Sequence, residues 1–207
     1  MGNVIADLAT SAASATFAVE NATSSVDYVL SGTDGSANDH LKTDGSGNLA
    51  WVAPAAVEDN TPAFFAYLTA NQTVTDNTAT KLACNGELFD TASAYDNSTN
   101  YRFTVPAGEG GKYVVTTQIN YINGNASGEL IKTMIYVGGV DKAFAYDDLM
   151  TNYYEDTVLM LQTILELSAA DYVEAYGLWD TGSGTPGFGG NSSSMSSYFS
   201  AFKLAGV

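Results

Sequence analysis

Residues 112–121 read Lys-Tyr-Val-Val-Thr-Thr-Gln-Ile-Asn-Tyr, and apolar side chains occupy alternate positions along this stretch. Residues 157–167 show the same alternation. The alternating apolar residues are Tyr113, Val115, Ile119 and Tyr121 in the first stretch, and Leu159, Leu161, Leu165 and Leu167 in the second. Successive side chains of a β-strand point to opposite faces of its sheet, so each stretch predicts a strand with one face in a core.

Turn signals separate these stretches from the other apolar segments. They are Asn-Gly at 123–124, Gly-Gly at 138–139 and a run of Gly, Ser and Asn at 182–197. Apolar residues make up 45% of the 207-residue chain and aromatic residues 12%, which excludes a disordered protein. Strands joined by turns at this spacing predict an all-β sandwich.

The N-terminal segment, residues 1–29, has a different pattern. Apolar residues recur there at three- and four-residue spacing, and its candidate anchor residues are Ile5, Leu8, Val19 and Val26. We interpret the segment as an extended or weakly helical anchor that docks on other proteins or helps three chains to assemble. The alternative is a frayed tail whose Ala, Ser and Thr content produces the spacing by chance.

Residues 30–61 are predicted to form a short β-hairpin stalk and a linker. Thr-Asp-Gly-Ser occurs twice, at 33–36 and 43–46, and Asp-Gly between apolar residues is a strong hairpin signal. Residues 53–62 carry two of the four prolines, which is typical of a linker. The stretch 41–51, with Lys-Thr-Asp-Gly-Ser-Gly-Asn-Leu, resembles segments that recur in the fibre proteins of tailed bacteriophages.

Residues 62–207, the predicted knob, resemble the globular heads of the complement first component and their tumour necrosis factor relatives. The matching blocks are Pro62–Leu68, Tyr95-Asp96, Arg102–Pro106, Gly111–Val115, Ala170–Ala175 and Ser197–Leu204, in the family's order and spacing. The chain departs from the family at Ala170 and Ala201, where the family has glycine, in lacking a glycine before Phe103, and in a loop that Gly108–Gly111 lengthens.

The resemblance implies a jelly-roll sandwich that forms a homotrimer, with aromatic residues of three subunits meeting near the axis. Tyr113, Phe199 and Phe202 are then candidates for the trimer interface or for the core of one subunit. Some relatives bind calcium, and the acidic residues here make that ion a minor hypothesis.

Composition limits the partners of the chain. Seven Lys and Arg stand against 23 Asp and Glu, a formal charge of −16 that would repel nucleic acid. No apolar run approaches the roughly 18 residues that span a bilayer, so no membrane insertion is expected. The first thirty residues contain no Lys or Arg, so we expect no ordinary secretory signal peptide.

We predict that the chain is not an enzyme and needs no cofactor or metal. His40 is the only histidine and Cys84 the only cysteine, so a His-dependent triad, a Cys-His nucleophile and a zinc site each lack partners. The adjacent acids Asp147-Asp148 and Glu155-Asp156 are expected on the surface, because a glycosidase needs two acids held across a cleft.

The best candidate for recognition is the Gly- and Ser-rich region 177–198. We expect Trp179, Phe188 and Tyr198 to offer exposed aromatic platforms to a host-surface glycan or protein; the alternative is that they pack back on the core.

Together these patterns predict a non-enzymatic homotrimeric fibre or spike of a tailed bacteriophage virion. It would be made in the host cytoplasm, anchored to other virion proteins by its N-terminus and used for receptor attachment. The alternatives are a head decoration fibre without a receptor role and a cellular adhesin that binds carbohydrate or protein.

Overall fold

The computed structural model describes residues 16–21, 24–30, 35–55, 59–123, 130–148, 156–182 and 184–205. The chain divides into two compact units, Met1–Val57 and Glu58–Val207. The described residues form strands and turns, without a helix. The finer division into segments 1–29, 30–61 and 62–207 stays a prediction.

The first unit contains a four-stranded sheet in the order β1-β2-β4-β3. Its strands are β1 (Thr16–Asn21), β2 (Ser24–Leu30), β3 (His40–Thr43) and β4 (Asn48–Val52). β1 and β2 pair antiparallel, with Val19 opposite Val26. The extended interpretation of the N-terminal segment therefore holds for these strands and the helical one is wrong there, because β-branched and aromatic residues favour strands over a weak heptad. Ile5 and Leu8 lie outside the described residues.

The second Thr-Asp-Gly-Ser motif makes the turn between β3 and β4. The Asp44 carboxylate accepts hydrogen bonds from the Asn48 side chain at 2.6 Å and from the Ser46 amide at 2.7 Å. These bonds, the Asn48 side chain first, hold the pKa of Asp44 below its usual value. Gly45 and Gly47 have φ of 80° and 93°, which glycine adopts without a steric penalty.

The second unit is a sandwich of two antiparallel sheets. The six-stranded sheet has the order β13-β12-β15-β10-β9, with β7 paired to β15. The seven-stranded sheet has the order β6-β16-β11-β17-β5-β8, with β14 paired to β11. The strands are β5 (Ala63–Tyr67), β6 (Gln72–Thr73), β7 (Thr80–Lys81), β8 (Gly86–Asp90), β9 (Tyr95–Asp96), β10 (Arg102–Thr104), β11 (Gly111–Ile122), β12 (Leu130–Val137), β13 (Val140–Asp148), β14 (Asp156–Leu167), β15 (Tyr172–Asp180), β16 (Gly187–Phe188) and β17 (Tyr198–Lys203).

The core lies between the two sheets and is rich in aromatic rings. Phe64 stacks on Tyr95 and Phe103, with ring centroids 4.8 and 5.0 Å apart, and meets Phe199 edge-on at 5.1 Å. The predicted strand alternation is confirmed in β11, where Tyr113, Val115, Ile119 and Tyr121 are all fully buried. In β14 Leu167 is buried, and Leu159, Leu161 and Leu165 pack against the core while partly exposed. Every second residue of these strands therefore builds the core, and the residues between them point outward.

Candidate functional site

The predicted recognition loop is a packed part of the sandwich. Trp179 belongs to β15 and Phe188 to β16, and both side chains are fully buried. Both rings meet Tyr121 edge-on, at 5.7 and 5.6 Å. The expectation that Trp179 and Phe188 are exposed platforms is wrong, and the alternative that they pack back on the core is what the structure has. Tyr198 is partly exposed and stacks on Phe65 at 5.0 Å.

Glycines explain why this segment packs so closely. The Gly189 amide donates to the Asn120 carbonyl at 2.7 Å, and the Gly190 amide donates to Asn71 Oδ1 at 3.0 Å. A Cβ at Gly190 would lie 2.2 Å from the carbonyl oxygen of Ala70, so no larger residue fits there without moving the backbone. The glycine-rich composition that suggested an exposed recognition loop instead permits close approach of two backbones.

The three residues predicted for the trimer interface or core fall on opposite sides of the seven-stranded sheet. Tyr113 and Phe199 are fully buried within the subunit, whereas Phe202 is 37% exposed on the outward side. The Tyr113 hydroxyl donates to the Glu109 carbonyl at 2.6 Å, and burial, with the nearby Glu109 charge, raises the pKa of Tyr113 to about 12. Of the three, Phe202 is the one whose ring a second chain could contact.

Phe202 belongs to an outward surface that runs across five strands, which we call the apolar face. Cross-strand pairing aligns its members in three rows. The rows are Ile164, Val114, Phe202 and Ala63; Gln162, Thr116, Ser200, Phe65 and Phe89; and Met160, Gln118, Tyr198 and Tyr67. None of these thirteen residues is charged. In a chain of formal charge −16, an uncharged sheet face of this extent is suited to burial against another surface.

The exposed members of the apolar face are large. Ile164 is 61% exposed, Met160 54% and Phe89 46%. In the middle row, Gln162 Nε2 donates to Thr116 Oγ1 at 3.0 Å, so these two side chains form a hydrogen bond within the sheet. A partner covering the face would bury apolar surface and leave that bond in place. The sequence held a signal for this surface, because three of the six outward positions of β14 are apolar, namely Val158, Met160 and Ile164.

The residues considered for catalysis or metal binding are not brought together. The Cys84 thiol is buried, which raises its pKa and keeps it protonated. Asp147, Asp148 and Asp156 are exposed, as predicted, and Glu155 lies outside the described residues. Within the described ranges, no cluster of three or more His, Cys, Asp or Glu is placed to hold a metal ion. No helix among the described residues is long and apolar enough to cross a membrane.

Comparison with known proteins supports the fold. No family model matches the sequence, and no curated protein matches it. Among solved structures, the Eiger TNF of S. frugiperda aligns with a TM-score of 0.51 and 15% identity, over 70% of this chain and 93% of that chain. The globular domain of zebrafish complement 1qA protein aligns with a TM-score of 0.49 and 15% identity, over 70% of this chain and 98% of that chain. The similarity to the Eiger TNF structure, with the two antiparallel sheets, confirms the predicted all-β jelly-roll sandwich.

Proposed function

We propose that this chain is a non-enzymatic structural protein of a tailed bacteriophage virion, a homotrimeric fibre or spike that attaches to a host-surface receptor. The apolar face is the observation that carries the assembly part of the proposal. Its exposed side chains are too large and too contiguous to suit water, and burying one of them fully stabilises an interface by about 1.5–3 kcal/mol.

A second copy of the same chain is the occupant that the charges favour. Each copy has a formal charge of −16, so two copies repel each other over most of their surface. The apolar face is a place where they can approach without bringing like charges together. A closed ring of three copies buries the face in every subunit and leaves none free to add further chains. The resemblance to trimeric jelly-roll families supports the number three.

Sequence features of the first unit support the virion part of the proposal. The stretch 41–51 resembles phage fibre segments, and its Asp44 turn joins β3 and β4 in a hairpin of the kind proposed for the stalk. The N-terminal segment, with Ile5, Leu8, Val19 and Val26, would dock on other virion proteins. The knob would then project outward and reach the receptor.

Light scattering tests the assembly. The purified chain should scatter as three times 21.7 kDa. Ile164→Asp, which places a charge on the β14 side of the apolar face, should shift the mass toward that of a monomer, because a buried unpaired charge costs several kcal/mol. Val140→Asp is the matched control, since Val140 is 56% exposed on β13 of the other sheet, and it should remain trimeric. A native chain that stays monomeric at micromolar concentration would contradict the proposal.

Particle labelling tests the proposed place of the chain on the virion, and a degradation assay tests its non-enzymatic role. Antibodies raised against the chain should mark the fibres or tail tips of intact particles in electron micrographs. Labelling confined to the head would favour a decoration fibre instead, and labelling of uninfected cells would favour an adhesin. Shortened polysaccharide after incubation with host envelope material would contradict a non-enzymatic role.

A further inference from the structure

The outward side of the six-stranded sheet carries a second surface, unlike the apolar face. We call it the ring-and-cation face. Its members alternate along the strands with buried residues such as Ile131, Thr133 and Ile135. They are the rings of Tyr136, Phe144, Tyr146, Tyr172 and Tyr176 and the cations Lys81, Arg102 and Lys132, brought together by the pairing of β13, β12, β15, β10 and β7.

Each cation of this face lies over an aromatic ring. Lys132 Nζ is 4.1 Å from the centroid of Phe144, the Arg102 guanidinium carbon is 4.4 Å from Tyr172, and Lys81 Nζ is 5.8 Å from Tyr176. These separations fall within the range of about 6 Å for cation–π attraction. Three of the seven Lys and Arg of the chain therefore stand on one sheet face, interleaved with rings.

Two of the three cations of this face form ion pairs with acids. Lys81 pairs with Glu174 at 2.6 Å, and Lys132 pairs with Asp141 at 3.1 Å. Arg102 lies opposite Asp96 in the β9–β10 pair, and it takes part in none of the ion pairs that the described residues form. Its guanidinium, held on the Tyr172 ring, presents planar donors that match a carboxylate or a phosphate.

The rings at the other edge of this face are open to solvent. Phe144 is 54% exposed and Tyr146 61%, with ring centroids 6.2 Å apart. Flat exposed rings beside charged donors and acceptors fit a sugar ring, which has an apolar C–H side and a polar rim. A second protein surface fits less well, because covering this face would desolvate the Lys81–Glu174 and Lys132–Asp141 pairs at a cost that their attraction need not recover.

We propose that the ring-and-cation face binds an acidic polysaccharide, with sugar rings on Phe144 and Tyr146 and an acidic group at Arg102. Strand β13 lies three strands from β10, about 14 Å at the usual spacing, so one ligand must span several sugar units to reach both. Charge complementarity favours an acidic chain, because Arg102 is a cation that forms no ion pair among the described residues, on a molecule whose net charge would otherwise repel such a chain. This inference rests on the proposed attachment function for its biological role and names the receptor class and the site.

Affinity electrophoresis and titration calorimetry test the site. The probes are polygalacturonate, hyaluronate and polysialic acid, with dextran as the neutral comparison. Retention by at least one acidic polymer is expected, weakening as added salt screens Arg102. Phe144→Ala with Tyr146→Ala should weaken that binding by about tenfold or more, and Arg102→Gln by about tenfold. Leu88→Ala, at a residue 58% exposed on β8 of the other sheet, is the matched control and should bind like the native chain.

Three results would overturn the inference: no retention by any of the three acidic polymers, equal retention by dextran, or undiminished binding by both the double variant and Arg102→Gln. Circular dichroism checks that each variant is folded. If the double variant does not fold, Arg102→Gln still tests the site. Light scattering on the same samples separates the two proposals. A trimer that does not bind removes this inference alone, whereas a monomer that binds removes the proposed assembly alone.

Discussion

The two outward faces of the sandwich share one backbone geometry and differ in nearly everything else. The apolar face of the seven-stranded sheet sets Ile164, Met160 and Phe202 in rows of uncharged residues. The ring-and-cation face of the six-stranded sheet sets its rings among cations and acids. Both sheets bury their inward residues in the same core. Outward positions are therefore free to suit different surroundings: one face suits permanent burial, and the other suits contact with water and a hydrated ligand.

The largest expected effect separates inward from outward positions on a single strand. Phe199 and Phe202 both lie on β17, but Phe199 is fully buried and Phe202 is 37% exposed. Phe199→Ala should lower the free energy of unfolding by about 3–5 kcal/mol, because it leaves a cavity among packed rings. Urea unfolding at two protein concentrations measures the loss, which should be similar at both.

Phe202→Ala is the matched partner of that experiment. Its loss should be smaller and should shrink as the protein is diluted, because the ring is expected to act between subunits, and dilution dissociates the native and variant chains alike. If the Phe202→Ala loss is independent of concentration and as large as that of Phe199→Ala, the apolar face is not an assembly surface.

A smaller loss of stability is expected on the ring-and-cation face, where an ion pair is broken and no apolar core residue is removed. Glu174 is 5% exposed, and Lys81 is its partner at 2.6 Å. Lys81→Met should destabilise the fold by about 2 kcal/mol, because the Glu174 carboxylate keeps its burial and loses its partner; the partial exposure of Lys81 keeps the loss below that of a fully buried pair. Thermal and urea unfolding measure the change.

The double variant Lys81→Met with Glu174→Leu decides what that loss means. Removing both charges should recover most of the stability, since the cost lies in the unpaired carboxylate and not in the missing ion pair. If the double variant is instead less stable than Lys81→Met alone, the attraction within the ion pair itself stabilises the fold and helps to hold β7 on β15.

The sequence predicted the core more reliably than it predicted the surfaces. Alternation in 112–121 assigned Tyr113 and Ile119 to the core, because a strand with one buried face has a strict period of two. Trp179 and Phe188 were misplaced because glycine is compatible both with a mobile loop and with close backbone packing, and the sequence alone does not distinguish these. Packing across distant strands decided between them.

Surfaces depend on register, which a single sequence does not fix. Arg102 and Phe144 are 42 positions apart along the chain, and they share a face because β10, β15, β12 and β13 lie side by side. Likewise the row from Ile164 to Phe202 exists because β14 and β17 flank β11. The period-two pattern shows which residues of a strand share a side, but it does not determine which strands remote in sequence pair with each other.

The smallest expected effect concerns the turn that leads into Arg102. Asp96 lies opposite Arg102 in the β9–β10 pair, and its carboxylate accepts from the amides of Thr99 at 2.9 Å and Ser98 at 3.1 Å and from the Asn100 side chain at 2.7 Å. These bonds, the Thr99 amide first, hold the pKa of Asp96 well below its usual range.

A carboxyl whose pKa is depressed by folding contributes stability that is complete above its unfolded pKa, about 3.9, and is lost as the pH falls from there toward the folded pKa. Asp96→Asn removes that titration, so its stability should fall less steeply than that of the native chain between neutral and strongly acidic pH. Urea unfolding across that range measures the slopes. Val140→Ala, at an exposed residue of β13 that carries no titrating group, is the control and should follow the native slope. If Asp96→Asn also follows it, the turn does not depend on the ionised carboxylate, and the position of Arg102 on the ring-and-cation face must come from β15 and the Tyr172 ring alone.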